Sequence, residues 1–113
     1  MEIIGPLQLR IMNFVWNKGD CTVHDVHDAL NGEPEAPQLA YTTVLTVMRN
    51  LVRRKILSQN PAGRSHVFSP IVSETEYKES MLQQICDDFF FGSQEDMIGK
   101  LQPSDQSEEV AVA

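Results

Sequence analysis

The 113-residue sequence has few cysteines and no long apolar run. Its two cysteines, Cys21 and Cys86, lie 65 positions apart, which does not suggest a small disulfide-linked scaffold, so we expect reduced thiols and a cytoplasmic location. No stretch approaches the roughly 18 consecutive apolar residues of a membrane span. The first six residues lack the basic and apolar regions of a secretory signal. A membrane protein and a secreted disulfide scaffold are therefore disfavoured.

Motifs of common enzymes are also missing. The sequence has no glycine-rich phosphate loop, no His-Glu-x-x-His zinc motif and no Gly-x-Ser-x-Gly nucleophile motif. The length suits one small domain with an appendage. We therefore predict a protein that is not an enzyme and has no cofactor.

Basic residues are scarce overall but unevenly distributed. The chain carries 9 Lys and Arg against 16 Asp and Glu, a net charge of -7. Residues 1–70 have a net charge of +1, whereas residues 71–113 have a net charge of -8. No Asp or Glu occurs between Ala36 and Ser73, a window that holds five basic residues. Because charges are screened over about 8 Å at physiological salt, the acidic region barely weakens a basic surface elsewhere.

Three helices and a hairpin are predicted for residues 1–70. Pro6 suits a helix start, and Thr22 with Asp25 is a capping-box pattern for a second helix. Apolar spacing predicts a third helix over residues 40–55. Short strands at residues 56–59 and 65–69 flank a turn at residues 60–64 that contains proline and glycine. The fold predicted is mainly α with a small β wing, a winged helix-turn-helix.

The third predicted helix has an unusual exposed face. Val44, Met48 and Leu51 form its apolar stripe, and the opposite face has hydroxyls, an amide and guanidinium groups but no carboxylate. The second helix of a helix-turn-helix enters the major groove of DNA, where threonine contacts bases and wing residues contact phosphates. The predicted DNA-binding residues are Tyr41, Thr42, Thr43, Thr46, Arg49, Asn50, Arg53, Arg64, Ser65 and His66.

Two further helices are predicted after the wing. Ser73 and Glu76 form a capping box, Gly92 ends that helix, and Ser93 caps a short last one. About thirty residues cannot hide both apolar faces, so a second copy of the chain is the predicted partner. The division expected is a DNA-binding domain at 1–70, a dimerisation segment at 71–101 and a disordered acidic tail at 102–113. The predicted dimer-interface residues are Tyr77, Met81, Leu82, Ile85, Phe89, Met97, Ile98 and Leu101.

Two alternatives to plain DNA binding are considered. Cys21, His24 and His27 have a Cys-x-x-His-x-x-His spacing that would allow a metal- or redox-responsive regulator, although a fourth ligand is unassigned. Cys86 is expected to be a buried apolar residue, with an intersubunit redox switch as the other possibility. The second alternative is a winged-helix protein-interaction module without DNA binding.

Several stretches resemble the penicillinase-repressor (BlaI/MecI/CopY-type) family of bacterial transcriptional regulators. They include Gly5-Pro6-Leu7, residues 12–16 and 21–26, the specific run Ala-Tyr-Thr-Thr-Val at residues 40–44, and the wing at residues 63–68. The resemblance spans about residues 4–101 and implies a homodimer that binds a palindromic double-stranded DNA operator and represses transcription.

Two departures from that family concern its induction. The C-terminal region lacks the cysteine-rich motif of copper-sensing relatives. Residues 87–91, Asp-Asp-Phe-Phe-Phe, lack the asparagine expected before the phenylalanine where β-lactam-responsive relatives are cleaved. A regulatory protease or sensor as a partner therefore stays open.

Overall fold

A computed structural model describes residues 3–102 of the chain. The tail predicted to be disordered lies, apart from Gln102, outside the described residues. The described part has the predicted order of elements, so the mainly α fold with a two-stranded wing is confirmed. The elements are α1 (Pro6–Lys18), α2 (Val23–Asn31), α3 (Tyr41–Arg53), β1 (Leu57–Ala62), β2 (Ser65–Pro70), α4 (Glu74–Phe90) and α5 (Gln94–Leu101).

The chain divides into two compact units, one ending at Tyr77 and the other starting at Lys78. The first unit contains the three helices α1 to α3 and the wing. Its core holds the apolar stripe of α3, and the predicted stripe residues Val44, Met48 and Leu51 are fully buried. The wing residue Phe68 is buried as well.

Tyr77 belongs to the core of the first unit. Its hydroxyl accepts a hydrogen bond of 3.0 Å from the backbone N–H of Ile4, and its ring centroid lies 5.6 Å from that of Trp16. The Trp16 indole in turn donates to the carbonyl of Val72 at 2.9 Å. Only 4% of Tyr77 is exposed. Tyr77 is therefore a core residue of the first unit and not, as predicted, a residue of the dimer interface.

The start of α2 is capped as the sequence predicts. The Thr22 hydroxyl accepts from the backbone N–H of Asp25 at 3.2 Å, and the Asp25 carboxylate accepts from the backbone N–H of Thr22 at 3.0 Å. That second bond is the main reason why the pKa of Asp25 is lowered from its ordinary value. The carboxylate therefore stabilises the helix start in its charged form.

The wing has a tighter turn than predicted. Strands β1 and β2 pair in antiparallel register out to Ala62 opposite Ser65, which leaves only Gly63 and Arg64 in the loop. The expected five-residue turn at residues 60–64 was wrong, because Pro61 lies within β1, an edge strand that tolerates proline. Gly63 has a φ of 67°, which a two-residue hairpin loop of the II′ kind requires at its first position.

An isolated β-bridge joins the wing to the segment before α2. The backbone N–H of Cys21 donates to the carbonyl of Phe68 at 3.0 Å, and the N–H of Phe68 donates back at 2.7 Å. The bridge places Cys21, the residue before the Thr22 cap, against strand β2.

The second unit contains the remaining apolar residues predicted for dimerisation. Met81 and Cys86 are buried, whereas Leu82, Phe89, Ile98 and Leu101 are exposed; Ile85 and Met97 are half-buried. The chain leaves α4 through Phe91 and Gly92, which both have positive φ. Ser93 caps α5 by accepting from the N–H of Asp96 at 3.2 Å.

Asp25→Asn should reduce stability at neutral pH by about 0.3–1 kcal/mol, because it removes the charge next to the α2 N-terminus. The lowered pKa of Asp25 in the folded protein makes its contribution fully present above about pH 4 and progressively lost as the pH falls through that lowered value. Urea unfolding of both proteins at pH 7 and pH 2.5 measures the difference in stability between them, which should be smaller at the lower pH. The control Asp88→Asn alters an exposed carboxylate without a capping role and should show no loss at pH 7. An equal loss of stability in Asp25→Asn at both pH values would contradict the capping role of the charged Asp25 carboxylate.

Candidate nucleic-acid interface

The entry into α3 is fixed by one side chain at the end of α2. The Asn31 amide accepts from the N–H of Leu39 at 2.7 Å and donates to the Leu39 carbonyl at 3.0 Å. The Gln38 amide donates to the backbone carbonyl of Asn31 at 3.1 Å. These bonds hold the end of the α2–α3 connection, so α3 begins at a defined position.

The two histidines of α2, His24 and His27, contact residues at the two ends of this connection. Because Asn31 Oδ1 is used by Leu39, its Nδ2 faces His27 Nε2 at 2.9 Å, and His27 Nδ1 donates to Asp28 at 3.1 Å. The ring of His24 packs against Tyr41 at a centroid distance of 4.8 Å. Within residues 3–102 there is no group of three or more His, Cys, Asp or Glu side chains that could hold a metal ion. Within this part of the chain, Cys21, His24 and His27 are therefore not brought together as a metal-binding group.

The thiol of Cys21 is also poorly suited to redox sensing. Cys21 is buried, and burial, with a further contribution from the Asp25 carboxylate, raises the pKa of its thiol to about 11. A thiol with so high a pKa is neutral at physiological pH and is a weak nucleophile. Cys86 is buried too, in agreement with its expected apolar role.

The predicted DNA-binding residues of α3 lie at the surface. Tyr41, Thr42, Thr43, Thr46, Arg49 and Arg53 are exposed, and Asn50 is half-buried. The wing residues Arg64, Ser65 and His66 are exposed at and beside the hairpin turn.

Three arginines of this surface have no carboxylate partner among residues 3–102. In the described part of the chain, Arg49, Arg53 and Arg64 take part in no ion pair, whereas Arg10 of α1 pairs with Glu33 at 3.0 Å. A guanidinium without a protein partner keeps its five N–H donors available for an external anion. The exposed face of α3 with the wing tip, which we call the acid-free face, can therefore bind a polyanion.

Two grooves run along the acid-free face. One, of about 320 Å³, lies between α2, α3 and the wing and brings together Tyr41, Arg49 and the predicted wing residues Arg64, Ser65 and His66. The other, of about 420 Å³, is lined by Thr46, Arg49, Val52, Arg53 and Gln59. Arg49 lines both grooves. Thr42, Thr43 and Asn50 line neither groove.

Several residues that line these grooves were not predicted to bind DNA, among them His24 and Gln59. His24 lines the first groove, and Gln59 lines both. Gln59 is paired with Phe68 across the wing, whereas the longer predicted turn would have placed it opposite Ser65. A two-residue loop at Gly63 and Arg64 would have predicted the observed pairing of Gln59, because loop length sets the register of a hairpin. His24 was expected on the outward face of α2, with a metal site as the alternative, but it was not assigned to the DNA-binding surface; it is exposed in the first turn of α2.

A thiol-reactivity measurement checks the assignment of Cys21. In a Cys86→Ala variant, the remaining thiol should react with a thiol reagent at pH 8 at least about tenfold more slowly than in the unfolded chain, because it is buried and neutral. Added zinc should change neither this rate nor the thermal stability. Fast reaction in the folded state, or protection by zinc, would contradict the assignment.

The order of the helices, the antiparallel wing and the exposed second helix of the motif define a winged helix-turn-helix protein. Residues 4–111 match the family described as penicillinase repressor, and the chain belongs to this family. The family is one of transcriptional repressors and not of enzymes. Among the helices of residues 3–102, none is long and apolar enough to cross a membrane.

Relatives and solved structures agree with this assignment. The chain is 32% identical over 74 residues to the transcriptional regulator BlaI of Mycobacterium tuberculosis (strain H37Rv), covering 65% of this chain and 51% of that protein. It therefore spans about half the length of that relative. It is 21% identical over 103 residues to the penicillinase repressor of Bacillus licheniformis, covering 91% of this chain and 78% of the relative.

Two solved structures share the fold. The DNA-binding domain of the repressor BlaI matches with a TM-score of 0.57 and 22% identity, over 66% of this chain and 87% of that one. A MarR family protein from Bacillus stearothermophilus matches with a TM-score of 0.53 and 13% identity, over 99% of this chain and 78% of that one. At these identities the likeness supports the winged-helix fold alone.

Proposed function

We propose that this protein is a bacterial cytoplasmic repressor that binds a palindromic DNA operator as a homodimer. The observation that carries the proposal is the acid-free face, on which Arg49, Arg53 and Arg64 have no carboxylate partner within residues 3–102. The net charge of -7 does not oppose it, because all the acidic residues lie outside the window from Ala36 to Ser73 that contains α3 and the wing.

In this proposal the N-terminal half of α3 enters the major groove. Thr42, Thr43 and Thr46 present hydroxyls and methyls, which suit base edges and thymine methyl groups. Arg53, nearer the end of α3, and Arg64, at the wing tip, contact phosphates on either side. Arg49, between the two grooves, is placed to contact the backbone or a guanine at the groove edge.

Dimerisation is proposed through the second unit, with a second copy of the chain as the partner. Phe89 is 72% exposed and Leu101 is 67% exposed, and a groove of about 280 Å³ between α4 and α5 is lined by Leu82, Met97 and Ile98, among others. Burying such a side chain contributes about 1.5–3 kcal/mol, and a cluster of large exposed apolar residues marks an interaction surface. A symmetric dimer would present two α3 helices, which is why the operator is expected to be palindromic.

Induction by a protease is not part of the proposal. The segment Asp87–Phe91 at the end of α4 exposes Phe89 and Phe91, but it lacks the asparagine of the family's cleavage region. The protein-interaction alternative predicts no response to duplex DNA, so the following measurement also tests that alternative.

Binding of the full chain to a duplex from its own upstream region should depend steeply on salt. If each protomer contacts about four phosphates, log K against log salt should have a slope of about -7 for a dimer. Titrations of a labelled duplex between 50 and 200 mM potassium chloride (about a half-decade of salt) measure this slope. A slope near zero, or no binding at the lowest salt, would overturn the proposal.

Thr43→Ala and Arg53→Ala should have different effects on DNA binding. Thr43→Ala should weaken operator binding by about 1–3 kcal/mol and reduce the preference for operator over a scrambled duplex, because a base contact is lost. Arg53→Ala should weaken both duplexes equally and make the salt slope shallower by about one per protomer. The control Lys100→Ala removes one positive charge outside the acid-free face and should leave the slope unchanged. An unaltered operator preference in Thr43→Ala would contradict its base-reading role.

Phe89→Glu combined with Ile98→Glu should give a monomer that binds the operator poorly, because two charges would be buried in the proposed interface. Sedimentation analysis and the same DNA titration measure both properties. The control Ile71→Glu places a charge on an exposed apolar residue of the first unit and should leave the dimer intact. A double variant that still sediments as a dimer would show that the interface lies elsewhere.

A further inference from the structure

Gln8 of α1 joins the start of its own helix to α3. Its Oε1 accepts a hydrogen bond from the backbone N–H of Gly5, and its Nε2 donates to Oδ1 of Asn50 at 3.0 Å. The two amides are 42 positions apart in the sequence. A Cβ on residue 5 would lie 3.0 Å from Gln8 Oε1, so the glycine gives the amide room to approach.

The backbone N–H of Gly5 determines the orientation of both amides. An N–H group only donates, so the Gln8 atom that faces it must be the oxygen. The NH₂ group of Gln8 then faces Asn50 and also only donates, so Asn50 must present Oδ1 to it. Asn50 Nδ2 is therefore directed away from Gln8, and within residues 3–102 no side-chain hydrogen bond uses it.

Asn50 lies beside the proposed DNA contacts of α3. It follows Thr46 by four residues and precedes Arg53 by three, which places it next to both on the helix surface. Thr46 and Arg53 are exposed, and Asn50 is half-buried between this face and α1. The donor group of Asn50 is therefore at the edge of the acid-free face.

We propose that Gln8 is a positioning residue for DNA binding: it holds Asn50 so that Nδ2 donates to a phosphate oxygen of the duplex. The inference rests on the proposed function and adds a residue of α1, outside the helix-turn-helix and the wing, to the binding machinery. A reversed Asn50 amide would direct its carbonyl oxygen at the phosphate, and two acceptors repel each other.

Gln8→Glu tests the orientation without removing the helix cap. The carboxylate still accepts from the N–H of Gly5, and it adds an acid to a first helical turn that has none, which favours the helix. It cannot donate to Asn50, so Asn50 must turn Nδ2 inward and Oδ1 outward. We expect unchanged or higher resistance to urea, together with operator affinity lower by about tenfold, the scale of losing a hydrogen bond to a charged group.

The added negative charge is controlled by a double-mutant cycle with Asn50→Ala. If Gln8 acts through Asn50, Gln8→Glu should weaken operator binding by less than about threefold in the Asn50→Ala background. A tenfold loss in both backgrounds would be an effect of charge alone and would overturn the inference. Gln8→Met, which is neutral and cannot make either hydrogen bond, should also weaken binding in the Asn50 background and have little further effect in the Asn50→Ala background.

Two other results would overturn the inference. If Gln8→Glu loses stability in parallel with affinity, Gln8 has only a structural role between α1 and α3. If it binds the operator as tightly as the wild type, the orientation of Asn50 does not matter. Failure of the wild type to bind any duplex in dilute salt would instead remove the proposed function itself, so the two failures are distinguishable.

Discussion

The burial of the apolar stripe of α3 determines which residues this protein can show to a partner. Val44, Met48 and Leu51 are fully buried, and a helix that buries one face must expose the opposite one. The exposed side chains of α3 are Tyr41, three threonines and two arginines, with no carboxylate among them. The same packing that stabilises the first unit therefore also aims the acid-free face outward, and the Asn31 bonds to Leu39 hold the start of α3 in place.

Basic and acidic residues are concentrated in different parts of the chain. The window from Ala36 to Ser73, which includes α3 and the wing, contains five basic residues and no acidic ones. The following residues are strongly acidic, which favours solubility and disfavours contact of that part with a polyanion. A sum over the whole chain hides this division, since only charges within about a Debye length of the phosphates affect them strongly.

Local signals in the sequence predicted most of the fold. Apolar spacing, the Thr22 cap and the Ser93 cap each act over a few residues, and the structure contains the corresponding helices. Contacts between distant residues were not predictable in the same way. Tyr77 meets Ile4 across 73 positions and Gln8 meets Asn50 across 42. Nothing in the local pattern of either residue distinguishes a core contact from an interface residue or a simple helix cap.

The reciprocal backbone bridge between Cys21 and Phe68 makes the wing a dependent part of the helix-turn-helix. The hairpin is anchored one residue before Thr22, so its base and the first turn of α2 share one point of attachment. A two-stranded ribbon on its own is only marginally stable in water, and this anchor limits how far its tip can swing. Arg64 therefore lies at the tip of a short hairpin, and the bridge that anchors this hairpin lies next to the start of α2, the helix that precedes α3.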